Sequence, residues 1–262
     1  MDNRVYSWGV GSNGELGLGK QTLHTTSPCL IESLRNYSIL KIAAGQGFSV
    51  FVAKNGMVFT CGSHQSNCLA HKENEDLFVP KLVNSLLKEN IFDVSCGANH
   101  VVAISSEGMA SAWGNNEHGK LGIAELRPLA IEPTKVVVPD NVKFKKVFCG
   151  PEATALLDYM GNLWLCGSNR FNKLALNRSS LFGSRIVQSA YAPQRARLPG
   201  QCKTNHVAFG HHHTLFFMEN GKIVAAGYNQ NGQLGVQHIG PVSHPSWSYM
   251  PRHHKMKVSS LQ

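Results

Sequence analysis

Acidic residues almost vanish from the second half of this chain. Residues 159–262 hold 11 Lys+Arg and one acid, Glu219, a balance of +10, whereas residues 1–158 hold 14 Lys+Arg and 15 Asp+Glu, a balance of −1. Long apolar runs are missing too: no stretch reaches the roughly 18 residues a membrane-spanning helix needs. The N-terminal Met1-Asp2-Asn3-Arg4 leads straight into patterned sequence and offers no signal-peptide core. The seven cysteines are odd in number and form no tight framework, which fits reduced thiols in the cytoplasm or nucleus. Charged residues make up only 16% of the chain, against 25 glycines, so tight turns and short strands are expected rather than helices. Kinase signatures of the Val-Ala-x-Lys, His-Arg-Asp and Asp-Phe-Gly kinds do not occur.

What is present is a period. The glycines that close one apolar run in each unit are Gly9, Gly62, Gly114, Gly167 and Gly227, spaced 53, 52, 53 and 60 residues. Gly45, Gly97, Gly150 and Gly210 form a second ladder, and Gly56, Gly108, Gly161 and Gly221 a third, both spaced 52, 53 and 60. Three ladders with one period predict a tandem repeat. Within a unit, Ile42-Ala43-Ala44-Gly45 and Ser49-Val50-Phe51-Val52-Ala53 read as strands, and Asn55-Gly56 reads as a hairpin into Met57–Gly62. About four short strands per unit is the make-up of a β-propeller blade. The units fall near 5–53, 54–105, 106–158, 159–218 and a partial 219–236, and 237–262 reads as a basic tail outside the repeat.

The loop after each anchor glycine is patterned more tightly still. Five residues on stand Gly14, Asn67, Gly119, Asn172 and Gly232, the two residue types that most readily adopt left-handed backbone. Leu16, Leu69, Leu121, Leu174 and Leu234 follow two residues later, and then always a small residue, Gly17, Ala70, Gly122, Ala175 or Gly235. The expected device is a forced left-handed turn that buries a leucine where a neighbouring backbone passes closely.

Trp8-Gly9, Asn13-Gly14-Glu15-Leu16-Gly17, Trp113-Gly114, Gly119-Lys120-Leu121-Gly122, Asn231-Gly232-Gln233-Leu234-Gly235, Gly97-Ala98-Asn99-His100 and Gly210-His211-His212-His213-Thr214 together resemble the regulator of chromosome condensation repeat family. The resemblance covers residues 5 to about 236. It implies an all-β propeller, incomplete here, with four full blades and part of a fifth against the family's usual seven. Asn169–Asn177, Asn99–Ala103 and the long fourth insertion are similar to the repeat domain of NIMA-related kinases. In those kinases the repeats follow a catalytic domain, regulate it, and act in spindle and centrosome assembly. The chain therefore reads as a non-catalytic interaction module from a longer regulatory protein. The alternatives that the resemblance leaves open are a guanine-nucleotide exchange factor for a Ran-like GTPase that also binds chromatin, and a substrate-recruiting module of a ubiquitin ligase.

Three local patterns invite chemistry. Gly9-x-Gly11-x-x-Gly14 has phosphate-loop spacing, but two further glycines follow at once and discourage the helix such a loop needs. Cys61-x-x-His64-x-x-x-Cys68-x-x-His71 has zinc-type ligands, yet Cys61 falls where other copies carry Trp8, Trp113 and Cys166, a core slot. His211-His212-His213 cannot all face one ion from a strand, where side chains alternate. No catalytic residue, metal, cofactor or small-molecule substrate is assigned. The candidate site is a protein-binding surface for an acidic partner, made of Arg170, Lys173, Arg178, Arg185, Arg195, Arg197 and Lys203, seven cations with no acid between Asp158 and Glu219.

Overall fold

The computed structural model describes residues 4–180, 183–196, 198, 203–236 and 248–249. Its first strands, β1 (Tyr6–Val10) and β2 (His24–Leu30), form a two-stranded antiparallel pair. Three complete sheets follow. The first blade comprises β3 (Ile39–Gly45), β4 (Phe48–Ala53), β5 (Val58–Gly62) and β6 (Leu77–Leu82), and the second β7 (Ile91–Cys96), β8 (His100–Ser105), β9 (Ala110–Asn115) and β10 (Leu129–Lys135). The third has β11 (Phe144–Cys149), β12 (Ala153–Asp158) and β13 (Leu163–Ser168). After a small hairpin of β14 (Arg178–Ser180) and β15 (Gly183–Arg185), it is completed by β16 (Ser189–Arg195). A fourth sheet holds β17 (Thr204–Phe209), β18 (His213–Met218), β19 (Ile223–Gly227) and β20 (Ser248–Tyr249).

Every blade is an antiparallel meander, and the inner strands β3, β7, β11 and β17 lie against one another in succession. The architecture is an all-β propeller arc. Its blades run from one inner strand outward, so a blade straddles two of the units read from the sequence while keeping their period. Within 237–262, Ser248–Tyr249 pair with Val224–Ala225. The rest of that stretch lies outside the described residues.

The core is divided among the seams between blades. Val50, Leu69, Val101 and Trp113 are buried where the first and second blades meet; Val102, Leu121, Phe144 and Leu156 where the second and third meet; and Leu165, Leu174, Phe216 and Val224 between the third and fourth. Second strands are covered on both faces, which is why β8 and β12, buried at every position, read as largely apolar stretches around Val101–Ile104 and Ala155–Leu157. At the ends of the arc the pattern changes. β18 alternates between buried and half-buried residues, and β1 exposes Tyr6, Trp8 and Val10 on one face.

The register makes Trp8 and Trp113 equivalent residues in unequal surroundings. Trp113 is fully buried and its indole N–H donates to the Cys68 carbonyl at 2.8 Å, whereas Trp8 is 59% exposed. Truncating Trp113 leaves a large cavity and an unpaired carbonyl. Trp113→Ala is therefore expected to cost about 3–5 kcal/mol in urea unfolding, and Trp8→Ala less than about 1 kcal/mol. Equal losses would contradict the seam assignment.

Candidate interaction face

The turns after the third strand of each blade build one face of the arc. Backbone φ is +95° at Gly14, +55° at Asn67, +81° at Gly119, +57° at Asn172 and +73° at Gly232. It is positive again three residues on, at Gly17, Ala70, Gly122, Ala175 and Gly235. Between these two left-handed steps the chain doubles back, and the five leucines are all buried, from 8% exposed at Leu16 to 0% at Leu121, Leu174 and Leu234.

In three of the turns the residue before the leucine turns its carbonyl into the next blade, while at the seam between the third and fourth blades the Thr214 hydroxyl, in the slot of Ser49 and Thr154, is buried without a partner. Glu15 O accepts from Ser49 Oγ at 2.8 Å, and Lys120 O from Thr154 Oγ1 at 2.7 Å. Cys68 O receives the Trp113 indole. A clamp that the sequence reading missed closes the turn from within. Asn116, Asn169 and Asn229, all buried, accept the leucine N–H at 3.2, 2.8 and 2.9 Å. Their spacing of 53 and 60 residues, two past the anchor glycine, was the available signal.

Packing absorbs the chemistry-bearing patterns. Gly11 stands against the side chain of Leu16, so leucine fills the space that a phosphate would need, and no helix follows. Cys61 contacts the Glu15 carbonyl, His64 the Asp76 carboxylate at 2.7 Å, Cys68 the Ser66 carbonyl and His71 the Thr60 hydroxyl. The four zinc-type residues are thus engaged with four different partners. Burial pushes the thiols of Cys61, Cys68 and Cys149 up to about 12, holding them protonated.

His100 is fully buried. Because the Thr154 hydroxyl donates to Lys120 O, its oxygen accepts from His100 Nε2–H at 2.9 Å, leaving Nδ1 buried without a partner. Burial, assisted by the Lys120 charge, lowers the His100 pKa to about 3.

The candidate cations among the described residues do not share one surface. Lys173 is withdrawn altogether: it is 1% exposed, and its ammonium is held by Glu152 Oε2 at 2.8 Å and the His211 carbonyl at 2.7 Å. The slot lies under the neighbouring blade, where a lysine must be paired to be tolerated. Burial alone would raise the Glu152 pKa, but the hydrogen bond and charge of Lys173 outweigh it and the net shift is downward. Arg170 is exposed on the turn, and Arg178 and Arg185 are backbone register partners in the hairpin β14–β15. Asn169 ties the base of that hairpin to the turn, donating to Val187 O at 2.7 Å and to Asn177 Oδ1 at 3.1 Å. Arg195 and Lys203 sit at the other end of the blade, Arg195 bonded to Asn162 and Lys203 beside Gly161. Strand β13, about 17–20 Å long, separates the two groups. Arg197 lies outside the described residues.

Four-stranded blades with these turns define a β-propeller of the regulator of chromosome condensation type. The chain belongs to the RCC1-like domain family, whose model matches residues 1–261. It is 31% identical over 215 residues to the serine/threonine-protein kinase Nek8 of Danio rerio, covering 79% of this chain and 31% of the kinase. It is 28% identical over 256 residues to Nek9 of Xenopus laevis, covering 92% of this chain and 27% of that protein. The chain thus spans less than a third of either kinase. Prp20p of Saccharomyces cerevisiae, a protein characterised for binding Gsp1p and histones, has a similar fold, with a TM-score of 0.78, 22% identity, and 96% of this chain and 60% of Prp20p covered.

The buried neutral imidazole makes stability depend on pH with a definite sign. The unfolded chain binds a proton at His100 near the ordinary pKa of about 6.5, and the native state does not until about 3, so stability falls as pH drops below 6.5. At pH 5 the loss from this residue is expected to be about 2 kcal/mol. Urea midpoints at pH 7 and 5 should show it in the wild type and not in His100→Phe, which installs the residue of the first blade, Phe48. Identical pH dependence in the two proteins would contradict a buried neutral His100.

Proposed function

We propose that this propeller is a non-catalytic protein-interaction and regulatory module. It works within a larger protein of the NIMA-related kinase kind, in the cytoplasm or nucleus, with a mitotic or centrosomal role. The observation that carries the reading is where the freely varying side chains lie. The repeated polar groups are consumed by the seams, while the turn face of the third blade presents Arg170 and carries the Arg178–Arg185 hairpin. The basic half of the chain favours an acidic protein partner, whose encounter such cations steer. The 31% and 28% identities to Nek8 and Nek9 support the kinase-linked setting.

Exchange activity on a Ran-like GTPase is the second reading, and it draws on the fold shared with Prp20p. Fold alone does not transfer function.

Two measurements separate these readings. Release of labelled GDP from Ran should be unchanged by the protein, and marked acceleration would overturn the interaction-module reading. Retention on immobilised poly-glutamate should fall, with its salt dependence, when Arg170, Arg178 and Arg185 are all changed to Glu. It should change little when Arg195 and Lys203 are reversed. The opposite ranking would move the acidic-partner surface to the other end of the blade.

A further inference from the structure

A tandem repeat supplies its own control, because a side chain the fold requires recurs in the equivalent slot. At the seam between the third and fourth blades, four slots depart together. Arg170 stands where the other copies have Ser12, Gln65, Glu117 and Gln230. Phe171 stands where they have Asn13, Ser66, His118 and Asn231. His212 replaces Gly47, Asn99 and Glu152, and Tyr228 replaces Val10, Ser63, Asn115 and Ser168. None of these slots demands an aromatic ring, yet here three rings converge.

The Phe171 ring lies 4.8 Å from Tyr228 and 5.3 Å from His212, edge-on to the latter at 71°. The Arg170 guanidinium sits over the Phe171 ring, its Cζ 4.9 Å from the centroid. Phe171 itself holds φ +58° and ψ +19°, a region that is costly for a bulky residue, and remains 39% exposed. His118 in the second copy shares that backbone conformation, at φ +61°, whereas Asn13, Ser66 and Asn231 in the other copies do not have positive φ. What is peculiar to this seam is the placing of a large apolar ring there, half in water. His212 Nδ1 is buried beside it with no hydrogen-bond partner. The nearby carboxylate of Glu152 is already bound to Lys173.

We propose that Arg170, Phe171, His212 and Tyr228 form a docking site for an acidic peptide segment that carries an aromatic side chain. The segment's ring adds to the exposed face of the Phe171–Tyr228 pair, and a flanking carboxylate pairs with Arg170. Charge complementarity selects this occupant: the site offers an exposed guanidinium within a stretch, Asp158 to Glu219, that has no intervening acid. The inference rests on the interaction-module reading and sharpens it to one seam and one peptide chemistry.

The test uses the whole chain and a fluorescently labelled Glu-Glu-Phe-Glu-Glu peptide, read by anisotropy, with Glu-Glu-Ala-Glu-Glu as comparator. Arg170→Ser, Phe171→Asn and Tyr228→Ser each install a residue that another copy uses, so thermal unfolding should be close to wild type. Each should weaken the phenylalanine peptide by about tenfold, and alanine in the peptide should do the same. Undiminished binding to Phe171→Asn and Tyr228→Ser, or equal binding of the two peptides, would overturn the docking site. Poly-glutamate retention kept under those results leaves the wider module reading standing. Absence of both peptide binding and poly-glutamate retention would remove the two together.

Discussion

The structure depends on one recurring contact, the turn of each blade seated on the blade that follows. Two left-handed steps three residues apart force the chain to drive a leucine inward and to aim the preceding carbonyl across the seam. The first blade answers Glu15 O with Ser49, the second answers Cys68 O with Trp113, and the third answers Lys120 O with Thr154. The second and third of these are buried hydrogen bonds and the first is half-buried; inside an apolar seam an unpaired carbonyl would cost about 1–3 kcal/mol. The contact therefore fixes the relative placement of blades as well as the shape of the turn.

This contact explains features that otherwise look like chemistry. Cysteine recurs beneath the turns because a small, weakly polar, buried side chain fits below a carbonyl: Cys61 approaches Glu15 O, and Cys166 approaches Lys120 O at 3.5 Å. Two lysines are buried for a related reason. Lys120 reaches Asn99 Oδ1 at 2.7 Å, and Lys173 reaches Glu152, each tying its turn to a corner of its own blade. Lys173 also spans the seam, through the His211 carbonyl.

The period, the hairpins and the left-handed positions were legible in the sequence because each is a local demand on backbone conformation, and only a few residue types meet it. Contacts across the seams were not. Ser49 and Glu15 are 34 residues apart, and Cys166 and Lys120 are 46 apart. Nothing in either local sequence announces the partner. The same limit applies to the basic surface. Lys173 looked like one more exposed cation because its partner Glu152 lies a blade corner away. Arg170 and Arg195 looked like neighbours because they share a stretch of sequence, although strand β13 holds them at opposite ends of a blade. The asparagine clamps were readable in principle, since Asn116, Asn169 and Asn229 keep the period, but only the structure shows what they hold.

The central claim is that the left-handed step is required at the turn, while its side chain matters only where the next blade touches it. Reciprocal substitutions separate the two demands. Asn67 is exposed, so Asn67→Gly should change unfolding free energy by less than about 0.5 kcal/mol. A Cβ at Gly119 would come within 2.5 Å of Tyr191 Cα. Gly119→Asn, although asparagine suits the backbone, should therefore cost more than about 2 kcal/mol. Urea unfolding of the two variants beside the wild type is the direct measurement. A large loss for Asn67→Gly, or none for Gly119→Asn, would contradict the seam as the constraint that organises the fold.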